Sequence, residues 1–273
     1  MRQAKGENRM KIGFIGLGNM ASAIIGGITG KGIVAASDII GADKFPAAVE
    51  KAAKNLGIDA TEDNKKVVSA ADILFLAVKP QMFPDVIQEI KDTVRAETVI
   101  VSIAPGKTIE WLVGLFGKEL KIVRCMPNTP ALVGEGCTGV CHNDKVTAEE
   151  FAQVLQILNS FGKAMEVPEH LMDTVVGVSG SSPAYVFMLI EAMADAAVAD
   201  GMPRAQAYEF AAQAVYGSAR MVLETGKHPG ELKDMVCSPA GTTIEAVRVL
   251  EEMGFRSAII EAQMACVEKS RSL

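Results

Sequence analysis

The chain has 273 residues, of which 49% are hydrophobic, 5% aromatic and 22% charged, with a net charge of −6. That composition excludes a disordered chain, and the length predicts about two domains with well-buried cores packed closely through Ala and Gly. An acidic balance without any Lys/Arg-rich stripe excludes nucleic acid as a partner.

Residues 1–9 carry basic side chains with no apolar segment after them. They read as an extension ahead of the first strand rather than a leader, with Met10 a second candidate start. Residues 11–15 predict a strand, a glycine turn follows, and 21–28 predict a helix. The next strand is expected over 38–42 and its helix over 46–56. Apolar strands are expected over 73–78, 99–103 and 122–126, with helices between them near 84–94 and 109–116. A segment over 136–142, a helix over 148–161 and a strand over 164–167 close this region. Strands alternating with helices of this length predict a doubly wound, mostly parallel α/β sheet of the Rossmann type, here over residues 1–167.

After Pro168 no convincing strand follows, and residues 168–273 predict an all-helical domain. A helix over 184–199 is apolar on most of its faces. Met202-Pro203 starts another over 205–224, and Gly226 and Pro229 punctuate the next turn. A helix apolar all round must be buried all round. About a hundred residues offer few layers for that, so a second copy of the chain is expected to complete the core. The most apolar stretch, 186–198, is interrupted by Glu191 and Asp195. No run of membrane-spanning length is expected, and no membrane partner.

The glycine turn reads Gly16-Leu17-Gly18-Asn19-Met20-Ala21, between a strand and a helix. Gly16 permits the tight turn, Gly18 admits a pyrophosphate to the backbone, and Ala21 lets helix and strand pack closely, which is the dinucleotide fingerprint. The reader of the adenosine ribose is expected just past the second strand, at Gly41-Ala42-Asp43-Lys44. Asp43 there favours NAD and Lys44 favours the 2′-phosphate of NADP, so these residues leave the preference open. Ala77-Val78-Lys79-Pro80 lies at a strand's carboxyl end, the ligand edge of such sheets, where Lys79 can add positive charge.

A second glycine-containing helix start occurs at Cys237-Ser238-Pro239-Ala240-Gly241-Thr242-Thr243, ahead of a periodic apolar stretch. Unpaired N–H groups and hydroxyls converge there, which suits a small anion such as a carboxylate. The competing reading is that Thr242 or Thr243 merely caps the helix. One site for a dinucleotide and another for a carboxylate together predict an oxidoreductase. Cys125, Cys137, Cys141, Cys237 and Cys266 form no CxxC pair, so reduced thiols and a cytoplasmic protein are expected. Cys137, Cys141 and His142 make half a metal site with no second half, so no metal is expected.

With both sites in view, the chain resembles the pyrroline-5-carboxylate reductases from residue 11 to its C-terminus. The resemblance rests on Gly13-Phe14-Ile15-Gly16-Leu17-Gly18-Asn19-Met20, Ala77-Val78-Lys79-Pro80 and Met126-Pro127-Asn128-Thr129-Pro130-Ala131. It rests also on Gly177-Val178-Ser179-Gly180-Ser181-Ser182-Pro183-Ala184-Tyr185 and the loop ending at Thr243. It implies NAD(P)H-dependent reduction of 1-pyrroline-5-carboxylate to proline, with NADP(H) expected first and NAD(H) as the alternative. It implies a Rossmann domain followed by helices that interlock with a partner's. The substrate residues it implies are Thr243, bonded to the substrate nitrogen, Ser238, Gly241 and Thr242 around the carboxylate, and Glu169 and Ser181 nearby. Asn64, Ala104 and Asn128 join the candidate cofactor set. Two departures stand out: Ala104-Pro105-Gly106, where a proline removes an N–H, and Ala240, where a glycine is frequent.

Tyr185 reads as a packed aromatic with a satisfied hydroxyl rather than a general acid. The rival readings are a related imine or hydroxyacid dehydrogenase, which would carry a lysine or aspartate acid in the long helix, and a dinucleotide sensor without turnover. That helix has Glu191 and Asp195 but no lysine.

Overall fold

The computed structural model describes residues 9–272. Apart from Arg9, the expected N-terminal extension lies outside the described residues.

The first part of the chain runs β1 (Ile12–Ile15), α1 (Asn19–Gly30), β2 (Ile39–Ala42), α2 (Pro46–Leu56), β3 (Asp59–Thr61), α3 (Asn64–Ala70), β4 (Ile73–Leu76) and α4 (Phe83–Ile90). It continues through β5 (Val99–Ser102), α5 (Ile109–Phe116), β6 (Lys121–Met126), β7 (Gly136–His142), α6 (Ala148–Leu158) and β8 (Gly162–Glu166). One sheet holds all eight strands in the order β3-β2-β1-β4-β5-β6-β7-β8. Every pairing is parallel except β6 with β7. The central strands β1, β2, β4 and β5 are buried at every residue. Helices cover both faces, which is why these strands read as apolar runs rather than alternating ones.

Each face has its own core. Ile12, Phe14 and Phe75 pack on one side with α1 and α6, the two rings stacked at 4.8 Å. Ile15, Leu74 and Leu76 pack on the other against Val67, Ile87 and Leu112. The chain runs outward from β1 through β2 to β3, then crosses back to β4 on the other side of β1. The order therefore reverses between β1 and β4, and the carboxyl ends of those two strands mark the crevice where such sheets bind ligands.

Local signals explain most element ends. Asp63 caps α3 by accepting from the N–H groups of Lys65 and Lys66 at 2.9 and 3.2 Å. Thr147 and Glu150 form a capping box at α6. That helix ends at Leu158 rather than 161. Ser160 Oγ donates to the Ile157 carbonyl at 2.6 Å, and Asn159 Oδ1 takes the Ala164 N–H, which turns the chain into β8. The strand expected over 73–78 ends at Leu76, because the Ala77 N–H still reaches Ile15 but Pro80 already opens a 3-10 turn. The sequence reading missed β3 and α3.

The chain divides into two compact units, one reaching Gly180 and including the residues from Val267 onward, the other Ser181–Cys266. The first unit ends in a 3-10 turn (Glu169–Leu171), α7 (Met172–Val175) and a π-helical turn (Val176–Gly180). These and α8 (Ser182–Ala199) form one continuous helical stretch, Glu169–Ala199, of 31 residues, with an 18-residue window of mean hydropathy 1.3. By length and composition it is sufficient to cross a membrane. This corrects the sequence expectation of no run of membrane-spanning length, which rested on Glu191 and Asp195 interrupting the apolar stretch 186–198. The remaining helices are α9 (Arg204–Thr225), α10 (Pro229–Val236), α11 (Thr242–Glu252) and α12 (Phe255–Arg271).

The second unit buries little by itself. Ala194 is the one buried residue that α8 contributes, and Ala207 and Ala211 those of α9. Phe187, Met188, Phe210 and Leu223 are 61%, 69%, 67% and 77% exposed. Apolar side chains in that number at the surface mark a face made for another surface.

Candidate active site

The glycine turn sits at the topological switch. Gly16 has φ 95° and donates its N–H to the Ala42 carbonyl at 2.8 Å. A Cβ there would lie 2.8 Å from the Ala77 carbonyl, so the loop after β4 closes over this residue only if it is glycine. Gly18 is the N-cap of α1, and no side chain makes the capping bond. A Cβ added to it would meet nothing within 4 Å. The first turn of α1 carries no acidic residue. Its orphan N–H groups and the positive end of its dipole are thus uncompensated beside open space, which fits a dinucleotide pyrophosphate.

Asp43 has a role that sequence alone does not reveal. Its Oδ2 accepts the Leu17 N–H at 2.9 Å and its Oδ1 the Phe45 N–H at 3.0 Å. The carboxylate therefore clamps the glycine turn to the end of β2. Lys44 points the other way, its ammonium 4.9 Å from the exposed Phe45 ring. Lys79 is exposed and precedes the 3-10 turn Pro80–Met82.

The structure therefore gathers the residues 16–21, Asp43, Ala77 and Val78 around one crevice. Ala104 is buried, with its N–H directed to Ser102 Oγ at 3.4 Å. Asn64 opens α3 and donates to Glu89 on α4 at 2.9 Å. Asn128, also buried, accepts from the Cys137 N–H at 2.8 Å and donates to the Ser179 carbonyl at 3.0 Å.

Glu169 belongs to the first unit. Its Oε1 accepts the Ile109 N–H at 2.8 Å and a guanidinium N–H of Arg124 at 3.1 Å. Arg124 is a functional candidate that the sequence reading passed over, although a charged residue inside Ile122-Val123-Arg124-Cys125-Met126 was the available signal. Nearby, burial pushes the Cys141 thiol up to about 12, and the Glu169 charge adds to the shift. Burial likewise raises the thiol of Cys125 well above its usual value.

In the second unit, α10 gives way to α11 through Cys237-Ser238-Pro239-Ala240-Gly241. The Gly241 N–H returns to the Ser238 carbonyl at 3.0 Å. Ala240 has φ 57°, the only positive φ outside glycine among the described residues. A Cβ on Gly241 would collide with Ser238 Oγ, so a larger residue there requires that hydroxyl to rotate away. Gly241 is also the N-cap, and no side chain makes the cap bond. The reading in which Thr242 or Thr243 caps the helix is thereby corrected: both stand inside its first turn.

Ser181 lies elsewhere in this unit, with its Oγ accepting from the Cys266 thiol at 3.1 Å. Burial raises the pKa of Tyr185, and a hydrogen bond with Cys266 raises it further. Tyr185 is not in a closed core. It lines an apolar groove of about 470 Å³ together with Val186, Leu189, Phe255 and Ile259.

Comparison with known proteins gives the family and the fold. The family model described as pyrroline-5-carboxylate reductase dimerisation matches residues 169–273, and one described as NADP oxidoreductase coenzyme F420-dependent matches 11–106. The pyrroline-5-carboxylate reductase of Escherichia coli (strain K12) is 57% identical over 96% of this chain and 98% of its own length. A pyrroline-5-carboxylate reductase structure from Coxiella burnetii superposes with a TM-score of 0.90 at 34% identity, covering 97% of this chain and 98% of that one. The Plasmodium falciparum pyrroline carboxylate reductase, solved with NADP bound, gives 0.89 at 34% identity over 98% and 99%.

Proposed function

Because the chain belongs to the pyrroline-5-carboxylate reductase family, we propose that it reduces 1-pyrroline-5-carboxylate to L-proline with NADPH, the last step of proline biosynthesis. The observation that carries this reading is the coexistence of two uncapped helix starts, α1 at Gly18 and α11 at Gly241. One suits a pyrophosphate and the other a small carboxylate.

The α1 start holds the dinucleotide phosphates, and Lys44 pairs with the 2′-phosphate, since the Asp43 carboxylate is engaged by the glycine turn. Bound there, the reduced nicotinamide supplies the hydride. Gly241 uses its own N–H inside the turn, so Thr242 and Thr243 present the backbone donors to the substrate carboxylate. Ser238 borders the same loop, and the Thr243 hydroxyl orients the ring nitrogen. The imine arrives protonated. Hydride adds to its carbon, the C=N π pair moves onto nitrogen, and a neutral amine results without a protein acid. Ser181, held by Cys266, completes the substrate set.

The functional boundary falls between residues 167 and 168, after the last strand. The exposed apolar faces of α8 and α9 interlock with a second copy. All five cysteines are free thiols, in keeping with a reducing cytoplasm.

Thr243→Ala tests the assignment. Losing one well-placed donor is expected to lower kcat/KM for pyrroline-5-carboxylate by about 10- to 1,000-fold, with the NADPH Kd unchanged. Kinetics close to wild type would remove Thr243 from the site.

A further inference from the structure

The loop after β5, residues 104–108, lies at the ligand edge of the sheet, with the Lys107 ammonium 5.0 Å from the Trp111 ring. Ala104 makes one long bond to Ser102 Oγ, Pro105 has no N–H, and Gly106 takes φ 70°. Thr108 caps α5 through the Trp111 N–H at 3.1 Å, which leaves the Ile109 N–H for a partner from elsewhere. Glu169, 60 positions further along the chain, provides it at 2.8 Å.

The same oxygen also meets Arg124, whose side chain is only 4% exposed. Arg124 pairs in register with Ser102, the last residue of β5. The guanidinium is therefore fixed beside the point where the loop departs, and the carboxylate spans from it to the point where the loop ends. A buried guanidinium needs such a partner, since an unpaired charge there is strongly unfavourable. The carboxylate neutralises the buried guanidinium and anchors the end of the loop.

Resting on the cofactor reading above, we infer that Glu169 is a positioning residue for cofactor binding: it holds the end of the 104–108 loop in place through the Ile109 N–H. It acts through the loop and touches neither cofactor nor substrate.

Removing Glu169 alone leaves the buried Arg124 guanidinium without its carboxylate, so paired variants of the full-length protein make the decisive comparison. Arg124→Met with Glu169→Gln keeps an acceptor for Ile109 and leaves no charge behind. Arg124→Met with Glu169→Met loses the acceptor as well. NADPH Kd, read by nicotinamide fluorescence without imine, is expected to stay within about 3-fold of wild type in the first and to rise about 5- to 50-fold in the second, the range for one lost hydrogen bond. Equal NADPH affinity in the two pairs, at matched Tm, would reduce the contact to a core ion pair and overturn the inference. So would a Glu169→Gln enzyme whose KM for pyrroline-5-carboxylate rises while its NADPH Kd does not, because Glu169 would then touch substrate. The binding assay contains no imine, so its outcome is independent of whether pyrroline-5-carboxylate is the substrate.

Discussion

Ala240 shows how a single residue can be costly in stability and still belong. A left-handed φ brings its Cβ against the following carbonyl, an unfavourable contact of about 1–2 kcal/mol. Such strain concentrates at functional loops, and this loop precedes the anion-receptive start of α11. Ala240→Gly is expected to stabilise the protein by about 1 kcal/mol in denaturant unfolding, with pyrroline-5-carboxylate turnover retained. Destabilisation would show that the Cβ makes a compensating contact. At this scale the sequence was readable for type and not for direction. Gly16 and Gly18 announced a pyrophosphate site, and Asp43 stood where a ribose reader belongs. That its carboxylate turns to the Leu17 and Phe45 N–H groups depends on how the glycine turn folds back over β2, which no local pattern encodes. Glu169 was expected near the substrate, and its contacts with Ile109 and Arg124 were likewise unreadable from the sequence.

Among elements, the long periodic segments were legible and the short ones were not. The helix expected over 46–56 and that over 109–116 match α2 and α5 residue for residue. In both, an αL glycine, Gly57 or Gly117, ends an amphipathic run. The β3 edge strand has three residues, none of them buried, so it carried no apolar signal. The seven-residue α3 was missed although Asp63 followed by Lys65 and Lys66 is a readable cap. The π-helical turn Val176–Gly180 was not predicted either. The α8 helix was legible in another sense: apolar residues on most of its faces predicted a missing partner, and the exposed Phe187, with Phe210 and Leu223 on α9, is where it would sit. Phe210→Glu and Leu223→Lys together are expected to weaken self-association by at least about tenfold, because charge would replace apolar anchors. Light scattering across a dilution series reads this directly. An unchanged molar mass at every concentration would place the interface elsewhere.

For the whole molecule, the two units differ in kind: an eight-stranded sheet with an uncapped helix start at Gly18, and a set of helices with another at Gly241. The doubly wound class followed from strand and helix alternation, and the helical region from its loss after Pro168. What the sequence withheld at this scale was how far the first unit extends. It runs on to Gly180 and takes back the chain from Val267 onward, where Ser270 donates to Asp173 at 2.6 Å. A return of that kind is a tertiary fact. The most direct test of the account is to add pyrroline-5-carboxylate to the purified protein with NADPH and, in parallel, with NADH at matched concentration. Oxidation of NADPH with equimolar appearance of proline, faster than with NADH, is the predicted result. Measurable NADPH binding with no oxidation on adding the imine would contradict it.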